Sequence, residues 1–208
     1  MTSAQDIQKI LIANTIRLIS EGGFEKATTK AITHSGETPV DFRMNEVYIY
    51  RYFGSKEHLY EVVFETLDVE FFSELRNAID QIDGIEANLK DNLYSIFLSA
   101  WSFVLGNETR CRCYVRYYYS IYFKGASLEK HNERFEGIVS DFSLLFGAGT
   151  DADMIMHSIL MTILDFAVRV FNGDLEDNDA NVSQMFNMIY HSMLPYFKEE
   201  LKTQANTQ

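Results

Sequence analysis

An all-helical chain is what this sequence predicts, on three observations. Only two prolines, Pro39 and Pro195, interrupt 208 residues. Apolar side chains recur three and four positions apart instead of alternating, which is the helical and not the strand period. Glycines stand where those periodic segments stop, at Gly22-Gly23, Gly54, Gly84, Gly106-Asn107, Gly125, Gly147, Gly149 and Asn172-Gly173, as helix C-termini require.

The elements follow in order. Leu11, Ile12, Leu18 and Ile19 lie at helical spacing in a first helix that ends at Gly22-Gly23-Phe24. Thr28-Thr29-Lys30-Ala31-Ile32 opens a second with a hydroxyl cap. Asn45 caps a third, its side-chain oxygen accepting an orphan backbone N–H, and Ile49 and Phe53, four apart, point inward from it. Glu46, Val47, Tyr48, Arg51 and Tyr52 are left outward. Gly54 breaks this helix and Ser55 caps the next, placing Lys56 where a helix N-terminus can meet a phosphate. The fourth helix should run from about Lys56 to Ile79, with others near residues 85–105, 108–123, 127–146, 152–172 and 178–201. Residues 203–208 read as a frayed tail.

Length and composition narrow the function. The chain suffices for a small N-terminal domain, residues 1–60, fused to a larger one, residues 61–208. A net charge of −12 looks wrong for a nucleic-acid binder until its distribution is read. Residues 1–60 are neutral: Lys9, Arg17, Lys26, Lys30, Arg43, Arg51 and Lys56 balance Asp6, Glu21, Glu25, Glu37, Asp41, Glu46 and Glu57. The whole excess lies beyond, where it would repel DNA and turn the neutral domain toward it. Cys111 and Cys113 are too close and too few for a disulfide framework or a four-ligand zinc site, so they read as free thiols, with redox or metal sensing as the alternative. No secretory signal is visible and no apolar run approaches about 20 residues, so a cytoplasmic chain without a membrane span is expected. Phosphate-loop, zinc-helix, nucleophile-elbow and di-iron patterns are missing, and neither catalysis, metal nor cofactor is expected.

Three short helices followed by a longer one is the plan of a helix-turn-helix domain. With Ile49-Tyr50-Arg51-Tyr52-Phe53-Gly54-Ser55-Lys56-Glu57-His58-Leu59-Tyr60, the first third of the chain resembles the N-terminal domain of the tetracycline-repressor (TetR) family of one-component transcription regulators. The aromatic pair, the Gly-Ser-Lys-Glu corner and the Gly-Phe turn carry the resemblance. Two departures stand out. Asn14-Thr15 occupies the place of a small apolar pair, so helix 1 packs less tightly there or uses a hydrogen bond. Residues 33–43 are roughly six residues longer than the family's connection, against a usual turn of about 3–4. Gly36 and Pro39 make the excess loop or helix overhang, which either touches DNA and shifts half-site spacing or lies passively on the surface.

The resemblance implies an all-α fold, with a three-helix helix-turn-helix domain joined by a long fourth helix to a helical ligand-binding and dimerisation domain. It implies a homodimeric, sequence-specific DNA-binding regulator, a repressor released from a pseudo-palindromic double-stranded operator by a small molecule. The alternative is a helical small-molecule-binding or interaction protein whose helix-turn-helix no longer binds DNA. Within the helix opened by Asn45, Glu46, Val47, Tyr48 and Arg51 would face base edges, Arg51 as a bidentate guanine reader. Thr28, Thr29, Lys30, Tyr50 and Lys56 would position the phosphate backbone, with Arg43 just upstream. Tyr48 and Tyr52 serve phosphates equally well.

Two faces remain to be assigned. Ile155, Ile159, Ile163, Phe166 and Val170 line one C-terminal helix and Val182, Met185, Phe186, Ile189 and Met193 the other, a pair that suits a four-helix dimer interface or an ordinary intrachain core. Phe97 and Trp101, the stripe Tyr114, Tyr117, Tyr118 and Ile121, and the series His157, Met161 and Asp165 could line an effector pocket. An aromatic stripe also fits plain core, His157 fits a hydrogen-bonded interior, and Asp165 with Arg169 fits an i,i+4 ion pair. The expected effector is apolar or aromatic, with a cation favoured slightly over an anion.

Overall fold

Ser3 opens the molecule with a reciprocal cap: its hydroxyl accepts the Asp6 N–H while the Asp6 carboxylate accepts the Ser3 N–H. The structure, a computed structural model, describes residues 3–34 and 44–205, with side chains as far as residue 203. The described residues form α1 (Ala4–Gly22), α2 (Thr29–His34), α3 (Val47–Phe53), α4 (Lys56–Asp80), α5 (Leu89–Gly106), α6 (Glu108–Tyr118), α7 (Ala126–Ser143), α8 (Ala152–Phe171), α9 (Asp179–Met193) and α10 (Glu199–Ala205). A 3-10 turn, Leu194–Tyr196, precedes α10, and the sole β pairing among the described residues is an isolated bridge between Phe146 and Phe197. The all-α expectation holds.

Three element ends differ from the sequence reading, each for a local reason. Residues 85–88 are turn and not helix: Asn88 has φ 53°, and the Asn92 side-chain amide gathers the carbonyls of Gly84, Ile85 and Ala87. α6 stops at Tyr118 because the Ser120 hydroxyl donates to the Tyr117 carbonyl and accepts the Tyr122 N–H, offering the backbone a turn in place of another helical bond. The helix expected over 178–201 is broken at Pro195, which has no N–H to continue it. Beyond it Phe197 is extended, and the Lys198 N–H donates to the Leu145 carbonyl.

The chain divides into two compact units. The first holds residues 3–34, 44–69 and 107–131. In it α1 packs on α2, α3 and α6 around Leu11, Ile19, Ile32, Ile49 and Leu59, all fully buried. Asn14 is buried too, and its amide donates to the Ile32 carbonyl (2.8 Å), so the expected hydrogen bond is made and an orphan carbonyl at the end of α2 is satisfied. Thr15 turns its hydroxyl back onto the Leu11 carbonyl (2.7 Å). Across this unit Phe24, Tyr60, Tyr117 and Tyr122 form one aromatic cluster, and the Tyr60 hydroxyl donates to the Ala27 carbonyl (2.7 Å).

The second unit holds residues 70–106 and 132–205. Here α5 packs on α8, α9 and α10 over a core that includes Leu93, Ile96, Phe97, Trp101, Phe186 and Phe197. α8 carries an 18-residue window of mean hydropathy 1.7 of which only 28% is buried within the chain. By length and composition it could cross a membrane, although Asp153, Asp165 and Arg169 break any continuous apolar run. α4 and α7 contribute residues to both units.

Candidate nucleic-acid interface and ligand cavity

α3 is a short helix held by two anchors. Glu46, and not Asn45 as expected, holds the cap position, and it makes no side-chain cap bond; Asn45 stands one residue earlier, its side-chain oxygen accepting the Val47 N–H (3.2 Å) and its carbonyl the Tyr48 N–H (2.9 Å). Ile49 and Phe53 are buried. Gly54, at φ 76°, closes the helix in a conformation that costs glycine least. Ser55 then caps α4 by accepting the His58 N–H (3.0 Å), with Lys56 in the first turn and its ammonium 5.6 Å from the centre of the Tyr60 ring.

The opposite face of α3 is open. Val47 is 62% exposed and Tyr50 55%, and Arg51 is exposed between them. Tyr48 and Tyr52 stack nearly parallel, 8° apart with centroids at 6.0 Å, and the Arg51 guanidinium lies 5.9 Å from the Tyr52 ring centre. That cation–π contact orders a side chain that would otherwise lose rotamer freedom on binding. Glu46 is half-buried and accepts the Thr29 hydroxyl (2.5 Å), while the Thr28 hydroxyl accepts the Ala31 N–H (3.1 Å). Lys30 is exposed on α2. The structure thus assembles Thr28, Thr29, Lys30, Asn45, Glu46, Val47, Tyr48, Tyr50, Arg51, Tyr52 and Lys56 on α2, α3 and the start of α4. Glu46 is engaged by Thr29 instead of reaching outward. Arg43 and most of the long 33–43 connection lie outside the described residues.

The residues expected to line one pocket are dispersed. Tyr114, Tyr117 and Tyr118 belong to the first unit, because α6 packs on α1. Tyr114 donates to the fully buried Asp68 carboxylate (3.0 Å), and His131 Nδ1 lies 2.8 Å from the same oxygen. Burial, then the Asp68 charge, holds the Tyr114 phenol well above its ordinary titration range, so it remains a donor. Tyr117 pairs its hydroxyl with Ser127 (3.0 Å), and the Tyr118 ring rests on Phe123 (centroids 4.5 Å). Ile121 is 79% exposed. In the second unit Trp101 is buried with its indole N–H donating to Asp177 (3.2 Å). His157 is exposed, its ring edge-on to Phe135, and Met161 is half-buried. Asp165, 72% exposed, stands 3.7 Å from Arg169.

A cavity of about 70 Å³ does exist in the second unit, with Phe97 the one member of that expected set lining it. α4 supplies Phe71, Phe72 and Leu75, and α7 supplies Phe135, Ile138 and Phe142. Ile159, Ile163, Phe186, Ile189 and Met193, expected at a dimer interface, also line it, and Val182 and Met185 are buried in the chain's own core. Ile155 and Phe166 remain half-buried on α8. The missed α4 and α7 liners had a signal, apolar residues at i, i+3, i+4 and i+7, but that period shows a face and not its neighbours.

The cysteines are inert by position. Cys111 and Cys113 are buried, and burial pushes both thiols up to about 12.

No protein-family model matches the sequence, and no curated protein matches it either. Solved structures do. A TetR family transcription regulator from Marinobacter aquaeolei VT8 superposes with a TM-score of 0.68 at 14% identity, over 88% of this chain and 93% of that one. The fold is that of the TetR-family regulators. FadR of Bacillus subtilis, a transcriptional regulator solved with stearoyl-CoA, superposes on this chain with a TM-score of 0.60 at 17% identity, over 88% of this chain and 96% of that one. SmeT, the repressor of the Stenotrophomonas maltophilia multidrug efflux pump SmeDEF, does so with a TM-score of 0.58 at 17% identity, over 95% of this chain and 94% of that one.

Proposed function

We propose that this chain is a sequence-specific DNA-binding transcription regulator, a repressor released from its operator by a small molecule. The observation that carries the reading is α3: a helix anchored by Ile49 and Phe53 presents Val47, Tyr50 and Arg51 to solvent. A helix with such a face docks in the major groove, where Arg51 reads guanine and the Val47 methyls meet thymine. Thr28, Lys30, Tyr50 and Lys56 hold the phosphates. The fold shared with TetR-family regulators and the likeness to the repressor SmeT support this reading.

The same α4 that begins at Lys56 supplies Phe71, Phe72 and Leu75 to the cavity. An effector there contacts the element that leads out of the DNA-reading helices. It shifts the equilibrium only by its differential affinity for DNA-competent and incompetent shapes. That FadR was solved with stearoyl-CoA supports a ligand-responsive reading. The poorly buried apolar surface of α8, including Ile155 and Phe166, favours a homodimer over a membrane span, and a two-fold dimer calls for a pseudo-palindromic operator. A protein with this task resides in the cytoplasm and needs no catalytic centre.

A second reading, a ligand-binding protein that no longer grips DNA, is favoured by the neutral charge of residues 1–60 and the −12 of the whole. Selection from random-sequence DNA followed by gel shift decides between them. Enrichment of a palindromic sequence, weakened by Arg51→Ala, supports the regulator; no enrichment at low salt overturns it.

A further inference from the structure

The chemistry of the cavity goes further than its existence. Every described residue lining it is apolar, and six of them are phenylalanines: Phe71, Phe72, Phe97, Phe135, Phe142 and Phe186. A water needs two to four polar partners to be held, and this lining offers none. At about 70 Å³ the cavity is roughly half the ~150 Å³ of an apolar void that stays dry and accepts benzene, so a single ring enters it as the flexible lining side chains give way. Left empty, such a void forfeits dispersion contacts on all sides.

Charge is excluded by the same surroundings. A carboxylate or ammonium placed among these rings would lose its hydration with no partner. Of the charged residues adjacent in sequence to the liners, Arg76 after Leu75 and Asp141 before Phe142 form an ion pair with each other, half-exposed. Neither charge is left over for a ligand. This reverses the sequence expectation of a cation.

We propose that the cavity binds a small uncharged aromatic hydrocarbon of a single ring, benzene or toluene, which packs edge and face against the phenylalanine box. The proposal rests on reading the cavity as the effector site. Ala100, buried at 3% exposure, is the smallest lining residue, and Ala100→Leu should fill the space the ring would take.

The test uses the full chain without DNA. Toluene, benzoate and benzylammonium are titrated by calorimetry and thermal melting, and operator binding by the ligand-free protein is measured separately. Toluene should raise the melting temperature saturably, with the two ions at least tenfold weaker, and Ala100→Leu should abolish the toluene response while still melting cooperatively. Should Ala100→Leu fold poorly, Leu160→Ala provides the converse arm, since its enlarged cavity should accept naphthalene better than the wild type does. Equal or tighter binding of either ion, or an unchanged toluene response in cooperatively melting Ala100→Leu, overturns the proposal. Toluene binding without DNA binding supports it and removes the regulator reading. DNA binding with no toluene binding does the reverse.

Discussion

At the scale of single residues, Arg51 is the proposed guanine reader. Its guanidinium is exposed and oriented by the Tyr52 ring, so Arg51→Ala should cost about 1–3 kcal/mol on a selected operator and relax one base position, whereas Lys56→Ala should weaken all sequences alike. Gel shifts on operator and random DNA check this; equal losses for Arg51→Ala would remove its base-reading role. The buried Asp68 carboxylate makes a different demand. Removing His131 strips a partner from a charge with no access to water, so His131→Ala should destabilise the fold by about 3–5 kcal/mol in urea melts. The cysteines set a pH window. Their folded values, raised to about 12 from 9.0, favour the protonated form in the native state, so that stability is fully present below about pH 9 and is lost as pH climbs toward 12. Tyr114, shifted in the same direction, adds to the loss above its ordinary value of 10.0. Replacing both cysteines by alanine should flatten the decline of melting temperature from pH 9 upward, and an unchanged slope would show that the thiols do not govern it.

Elements decide assembly. α8 keeps most of its apolar window outside the core of its own chain, so Phe166→Glu, at a half-buried position, should shift a dimer toward monomer in light scattering while leaving the melt of the chain cooperative. An unchanged mass would place any interface elsewhere. At this scale the sequence was legible where a helix is specified by its own residues. Gly54 ends α3 by its backbone conformation and Ser55 caps α4 by a local hydrogen bond, as expected, while the expected Asn45 cap falls one residue short because Glu46 takes that position. It was misleading where a partner decides. Tyr114, Tyr117 and Tyr118 form an apolar stripe of the kind that lines pockets, yet α6 lays it into the unit containing α1. Pro195 was visible, but the stretch after it became a separate α10 because residues 145–147 supply backbone partners from far along the chain.

For the whole molecule, charge and coupling set what can be measured. If Lys30 and Lys56 of each protomer neutralise phosphates, a dimer releases counterions from four contacts, and log K against log salt should fall with a slope of about −4. A slope near zero would mean that Lys30 and Lys56 do not meet the phosphate backbone. Effector binding should change operator affinity by about 1–3 kcal/mol, and DNA should change effector affinity by the same factor. Titrating toluene with and without operator tests that reciprocity.

By itself the sequence determined the helical class, the stop of α3 at Gly54, and the inward pair Ile49 and Phe53, since periodicity and backbone conformation act within a few residues. It also led to the expectation of free thiols at Cys111 and Cys113, which the structure holds buried and unbridged. Only the tertiary structure decided which faces meet. It moved Ile159, Ile163, Phe186, Ile189 and Met193 to the lining of a cavity and Tyr114 to a hydrogen bond with Asp68. The physical reason is that a helix announces its apolar stripe through its own 3.6-residue repeat, while the surface that covers the stripe is chosen by long-range packing among helices whose stripes look alike.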